Sequence, residues 1–232
     1  MAVQIMSLKD QVRDIHVRTL LYGMSGAGKT YSIGTCPAPT LLVEAEGGQL
    51  SLVGKNVDCT EVHNLQDVYD LLEWAYDSEE ARRYGTIAVD SVSEIAEVVL
   101  AAEKEANKDP RKAYAEMGDT LAKIIRSFRD IPDHNIIVIA KADQKQDENG
   151  ALLYQPSVPG SKATLSLPYF FDAVLAMRVT KDTDGLHRWF QTSSDGLWVA
   201  KDRSGRLDPG GEPADFARIF EKITGKAQGE EA

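Results

Sequence analysis

The stretch LLYGMSGAGKTYSIG, residues 20–34, constrains this chain more than any other part of it. Gly23, Gly28, Lys29 and Thr30 satisfy the spacing G-x-x-x-x-G-K-[ST] without a mismatch. The apolar run VRTLLY before it reads as a strand, and the residues after it can open a helix. That is the strand–loop–helix setting the pattern requires. Glycines let the backbone turn tightly and aim N–H groups inward, since no Cβ obstructs the approach. A helix beginning near Lys29 adds the positive end of its dipole. Such a loop suits a polyphosphate. Lys29 is expected on the β- and γ-phosphates and the Thr30 hydroxyl on Mg²⁺, with Gly23, Ser25, Gly26, Ala27, Gly28 and Tyr31 completing the cradle. ATP and Mg²⁺ are the cofactors implied.

With 232 residues the chain can bury one substantial core without needing two domains. Its net charge of -10 argues against a generic basic coat for nucleic acid, although a local basic loop remains compatible. Cys36 and Cys59 have neither metal-ligand spacing nor a framework pattern, which fits a reducing compartment. The sequence contains no run of about 18 apolar residues and no secretory signal, so a soluble, cytoplasmic protein with no membrane partner is expected.

Along the chain, apolar strands alternate with helical patterns. After a polar arm at 1–16 come VRTLLY, PTLLVEAEG, YGTIAVDS and HNIIVIAKA, read as buried strands. LQDVYDLLEWAYDS, SEIAEVVLAAEKEAN and MGDTLAKIIRSFRDI carry helical spacing, the last two separated by the polar KDPRKAYAE. FDAVLAMRVTK and HRWFQTSS read as two strands turning at Asp184-Gly185, and DFARIFEKITG as a closing helix. The expectation is an α/β fold over 17–225: a mostly parallel sheet with helices on both faces, antiparallel strands near its end, and a frayed tail at 226–232.

Two further strand ends bear on the loop. TIAVDS ends in Asp90, placed to hold the Mg²⁺ shell; the plainer alternative is a cap for the helix that follows. In LLVEAEGG, Glu44 and Glu46 lie two apart and share a strand face. Glu46, at the exit, is the one expected to polarise a water molecule. A surface glutamate at a strand end is its alternative.

EAEGG, VDSVSE, and MGDTLAKIIRSFRDI leading into NIIVIAKA together resemble the RecA/RadA superfamily of ATPases. AKDRSG, residues 200–205, resembles the lysine-x-arginine segment with which RadA-type proteins reach a neighbour's ATP site. The resemblance spans roughly residues 17–207 and is similar to core-only, phage-encoded members linked to single-strand annealing. It implies a RecA-like core with Glu46 as catalytic carboxylate and Lys201 and Arg203 acting in trans. It also implies rings or filaments with ATP between subunits, action in DNA recombination or repair, and residence in a host cytoplasm. Single-stranded DNA and a single-strand binding protein are the partners implied. The chain is expected to depart from full-length recombinases as a core-only form, without a separate N-terminal domain, and the loop after IVIAKA does not reproduce their glutamine-bearing sequence.

If a single strand binds, loops must supply cations and stacking faces. Lys108, Arg111, Lys112 and Tyr114 occupy the first loop's place; Lys141, Lys145, Tyr154 and Lys162 occupy the second's, around a hairpin turn at Asn149-Gly150. Asp109, Asp143, Asp147 and Glu148 dilute that charge, as in an ordinary solvated loop. The four histidines show no ligand spacing, and the three tryptophans read as packing residues. Two rival functions stand beside the recombinase-like one: an ATP-loaded adaptor that turns over little, and a small-molecule kinase. The kinase would want an arginine-rich lid that the mixed loops do not offer.

Overall fold

Strands buried on both faces cannot alternate apolar with polar residues, and the four apolar runs do not. In the computed structural model, which describes residues 15–37, 39–146 and 150–225, all four are central strands. In chain order the elements are β1 (Arg18–Gly23), α1 (Lys29–Ile33), β2 (Thr40–Glu44), β3 (Val57–Glu61), α2 (Leu65–Asp77), β4 (Thr86–Asp90), α3 (Val92–Ala106) and α4 (Pro110–Asp130). There follow β5 (Asn135–Gln146), β6 (Leu152–Ser157), α5 (Ser161–Ser166), β7 (Ala173–Asp182), β8 (Gly185–Gln191), β9 (Lys201–Asp202), β10 (Glu212–Pro213) and α6 (Phe216–Thr224).

They form one sheet in the order β10-β8-β7-β1-β5-β4-β2-β3, with β6 paired to β5 and β9 to β7. From β3 to β7 every pairing is parallel. β8, β9, β10 and β6 join antiparallel, giving the expected mixed edge. Period-2 alternation divides each central strand between two cores. Leu20, Tyr22, Val89 and Val138 face the layer built by α2, α3 and α4, whereas Leu21, Leu42 and Ile139 face the layer containing Ile33 of α1 and Phe216 and Phe220 of α6.

The structure departs from the sequence expectation in three places. β3 forms an edge strand in VDCTE, where only Val57 and Thr60 are part-buried and no apolar alternation announces it. The polar break between α3 and α4 is only Asn107–Asp109, because Asp109 caps Arg111 N–H at 2.9 Å and Pro110 takes the first helical position. Arg111, Lys112 and Tyr114 are therefore helical rather than looped. The second expected loop is largely a hairpin, β5 running on to Gln146 and pairing there with Leu152 of β6. Asn149 of its turn lies outside the described residues, as do residues 1–14 of the arm and the tail at 226–232. Among the described residues no helix is long and apolar enough to cross a membrane.

Candidate nucleotide-binding site

The loop between β1 and α1 lies at the C-terminal end of the parallel strands, where open α/β sheets bind ligands. Gly26 and Gly28 adopt φ of 75° and 99°, left-handed values that a side chain disfavours. Gly23 is held by contact instead: a Cβ there would stand 3.0 Å from the Met177 Cβ. α1 has five residues, too few to build much of a dipole, so the loop's own N–H groups carry the anion-binding capacity. Lys29 Nζ donates to the carbonyls of Gly23 at 2.9 Å and Met24 at 3.0 Å. Burial lowers the Lys29 pKa, the attraction of Asp90 and Glu46 opposes this, and repulsion from Lys141 adds to it.

Thr30 Oγ1 donates to Asp90 Oδ2 at 2.5 Å. Asp90 is nearly inaccessible, and burial pushes its carboxyl up to about 6 despite the Thr30 bond; Glu46 and Glu44 raise it further and Lys29 opposes them. Asp90 does not cap the next helix. Ser91 does, accepting from Glu94 N–H at 3.4 Å, and the Ser91 hydroxyl donates to Glu46 Oε1 at 2.8 Å.

The two strand-exit glutamates have separate positions. Glu44 is 3% exposed, and its Oε1 accepts from the N–H groups of Glu46 at 2.9 Å, Gly48 at 2.9 Å and Gly47. It fixes the turn. Glu46 borders the cavity, a third of its side chain exposed, with Lys141 Nζ at 3.2 Å. A cavity of about 510 Å³ is thus lined by Ser25, Gly26, Gly28, Lys29, Thr30, Tyr31, Glu46, Gly48, Ser51, Asp90 and Arg188. Among the described residues no cluster of three or more His, Cys, Asp or Glu could hold a metal. The Thr30 and Asp90 oxygens suit Mg²⁺, which takes one or two protein ligands and completes its shell with water and phosphate.

Three residues of this region escaped the sequence reading. Lys141, grouped with the second loop, instead pairs with Glu46 and Glu94. Ser91 orients Glu46, and its position directly after the Asp90 strand end was the available signal. Arg188 on β8 donates Nε to the Ala27 carbonyl at 3.1 Å, a contact 161 residues apart in sequence that no local pattern announces.

Lys201 and Arg203 lie elsewhere. β9 pairs Lys201 with Val174 and Asp202 with Ala173, at the start of β7, whereas the phosphate loop follows the far end of β1. Lys201 Nζ donates to the Pro168 carbonyl at 2.7 Å, and Arg203 reaches Asp172 at 3.3 Å and the Tyr169 carbonyl at 3.1 Å. Neither lines the cavity.

The DNA candidates are also separated. Lys108, Arg111 and Lys112 are exposed around the start of α4. Tyr114 lines a second groove, of about 640 Å³, with Lys123, Arg126, Lys162 and Phe170, and Glu116 and Asp119 are part of the same lining. Lys145 and Tyr154 sit on the β5–β6 hairpin, and one face of the Tyr154 ring is taken by Trp198, stacked at 4.2 Å and 7°. That face is closed to a base.

A glycine-rich phosphate loop at one strand end and carboxylates at two neighbouring strand ends, on a mostly parallel sheet, define a P-loop NTPase. The sequence matches the family model described as an AAA domain over residues 15–204, and the chain belongs to that family. Curated proteins give no match. Among solved structures the chain is similar to a KaiC-like protein from the hyperthermophilic archaeon Pyrococcus horikoshii OT3, with 14% identity and a TM-score of 0.39 over 75% of this chain and 76% of that one.

Proposed function

We propose that this protein binds Mg²⁺-ATP and hydrolyses it in DNA recombination, single-strand annealing or repair, as an oligomer with nucleotide between subunits. The observation that carries the reading is the convergence in one cavity of Lys29, the Thr30–Asp90 pair and Glu46 held by Ser91. On nucleotide entry Lys29 exchanges the Gly23 and Met24 carbonyls for phosphate oxygens, and its point charge stabilises the transferring group. Thr30 and Asp90 would hold Mg²⁺, which would supply positive charge to offset that of the polyphosphate. Glu46, fixed by Ser91, orients the attacking water and takes its proton. The groove of Tyr114, Lys123, Arg126, Lys162 and Phe170 supports the single-stranded DNA side, since it combines cations with aromatic faces.

The Lys141–Glu46 pair favours a second reading, the ATP-loaded adaptor, because the Lys141 ammonium competes with a water molecule for the Glu46 carboxylate. Phosphate release measured with and without single-stranded DNA separates the two. Acceleration by DNA supports the recombination reading. Slow release indifferent to DNA overturns it in favour of the adaptor.

A further inference from the structure

The phosphate cavity is short of positive charge. Of the charged side chains that line it among the described residues, Lys29 faces two carboxylates, Glu46 and Asp90; Arg188 is the other cation. We propose that Arg188 is a phosphate-binding residue of this same subunit's nucleotide site, engaging the non-bridging oxygens of the bound polyphosphate. The inference rests on the nucleotide reading above.

Its position follows from register. β8 pairs Phe190 with Met177 and Arg188 with Val179, so Arg188 stands two residues beyond Phe190 on the same strand face. Phe190 is fully buried and packs on Phe216 at 5.0 Å, which fixes the strand as a platform. Arg188 then overhangs the phosphate loop. A Cβ at Gly28 would meet Arg188 Nε at 2.7 Å, so the guanidinium lies against the loop backbone itself. Its Nε bond to the Ala27 carbonyl parallels the bonds of Lys29 to the Gly23 and Met24 carbonyls. A guanidinium carries five donors in a flat fork and the Ala27 contact uses one. Oxyanions are what that fork matches best, and phosphate is the oxyanion this loop is built for.

The test is equilibrium binding of Mg²⁺-ATP and of inorganic tripolyphosphate, which has no base, read by displacement of a fluorescent ATP analogue. Wild type is compared with Lys29→Ala, Arg188→Ala and Arg188→Gln. Glutamine retains a donor for Ala27 but no charge. Arg188 is exposed, so both of its variants are expected to melt as wild type does. Both should lose about tenfold in affinity for ATP and for tripolyphosphate alike. Wild-type affinity in Arg188→Gln would make Arg188 a support for the loop only, and overturn the proposal. So would loss toward ATP with tripolyphosphate unchanged, which would mark a contact to the base. If Lys29→Ala loses binding while neither Arg188 variant does, only this proposal fails. If wild type binds neither ligand, the nucleotide reading fails and Arg188 with it.

Discussion

Thr30 and Asp90, sixty residues apart, are joined by a 2.5 Å hydrogen bond at the floor of the phosphate cavity. Burial raises the Asp90 carboxyl from 3.8 to about 6, so the folded protein holds a proton there that the unfolded chain releases near pH 4. The Asp90 contribution to nucleotide-free stability therefore falls as pH rises from about 4 to about 6 and is level above that. Mg²⁺-nucleotide binding has the opposite sign. On the proposed Mg²⁺ role of Asp90 it uses the carboxylate, and should strengthen as pH rises through about 6. Asp90→Asn should flatten both profiles, stabilise the free protein at pH 7 by on the order of 2–3 kcal/mol, and abolish the Mg²⁺ dependence of binding. Thermal melts from pH 4 to 8, with and without Mg²⁺-ATP, check all three.

The two glutamates should separate cleanly. Glu46→Gln keeps nucleotide binding and slows phosphate release by about a hundredfold or more, because an amide cannot take a proton from water. Glu44→Ala strips the acceptor from three N–H groups of the following turn, so it should lower the melting temperature as well. Melts and single-turnover hydrolysis on both variants make the comparison. Full turnover in Glu46→Gln alongside a dead but folded Glu44 variant would reverse the assignment.

How much of this was legible in the sequence depended on how local each signal is. The phosphate loop, the Asp90 strand end and the four central strands are written in consecutive residues, and each appears where it was expected. β3 was not legible, because an edge strand with no buried residue on either face needs no apolar alternation and VDCTE has none. The start of α4 was legible in Asp109-Pro110, a cap followed by a first-turn proline, but the surrounding polarity suggested a loop. Which of Glu44 and Glu46 meets the cavity depends on a turn that Glu44 itself shapes. Arg188 depends on the sheet order, which brings β8 beside β7 and so one strand away from β1, and no spacing rule encodes that.

Lys201 and Arg203 sit at the opposite end of the strands from their own phosphate loop, so any contribution to hydrolysis must come from a neighbouring subunit. Lys201→Ala and Arg203→Ala should each lower ATPase activity while leaving nucleotide binding by a dilute subunit unchanged. Mixing either with Glu46→Gln should restore part of the rate, since each subunit supplies what the other lacks. Turnover measured across mixing ratios gives the answer. Purely additive loss at every ratio would place no cation in trans.

Any binding of single-stranded DNA works against the chain's net charge of -10, so its attraction has to be local and steeply salt-dependent. Two patches compete for it. Lys108, Arg111 and Lys112 surround the exposed start of α4, diluted by Asp109. Lys123, Arg126 and Lys162 line a groove that also offers Tyr114 and Phe170, although Glu116 and Asp119 dilute its charge and Arg126 already lies 4.9 Å over the Phe170 ring. The groove should dominate, because enclosure weakens screening and the aromatic rings add stacking worth about 1–3 kcal/mol per base. Replacing its three cations by alanine should weaken binding at every salt concentration and flatten the slope of log affinity against log salt by about 2. The α4-start triple variant should lose less. Fluorescence anisotropy of a labelled oligonucleotide, titrated from low to physiological salt with ATP present, distinguishes them. A flattened slope in the α4-start variant alone would move the strand to that end of the helix. Unchanged binding in both would remove DNA from these surfaces and leave the ATP-loaded adaptor as the better account.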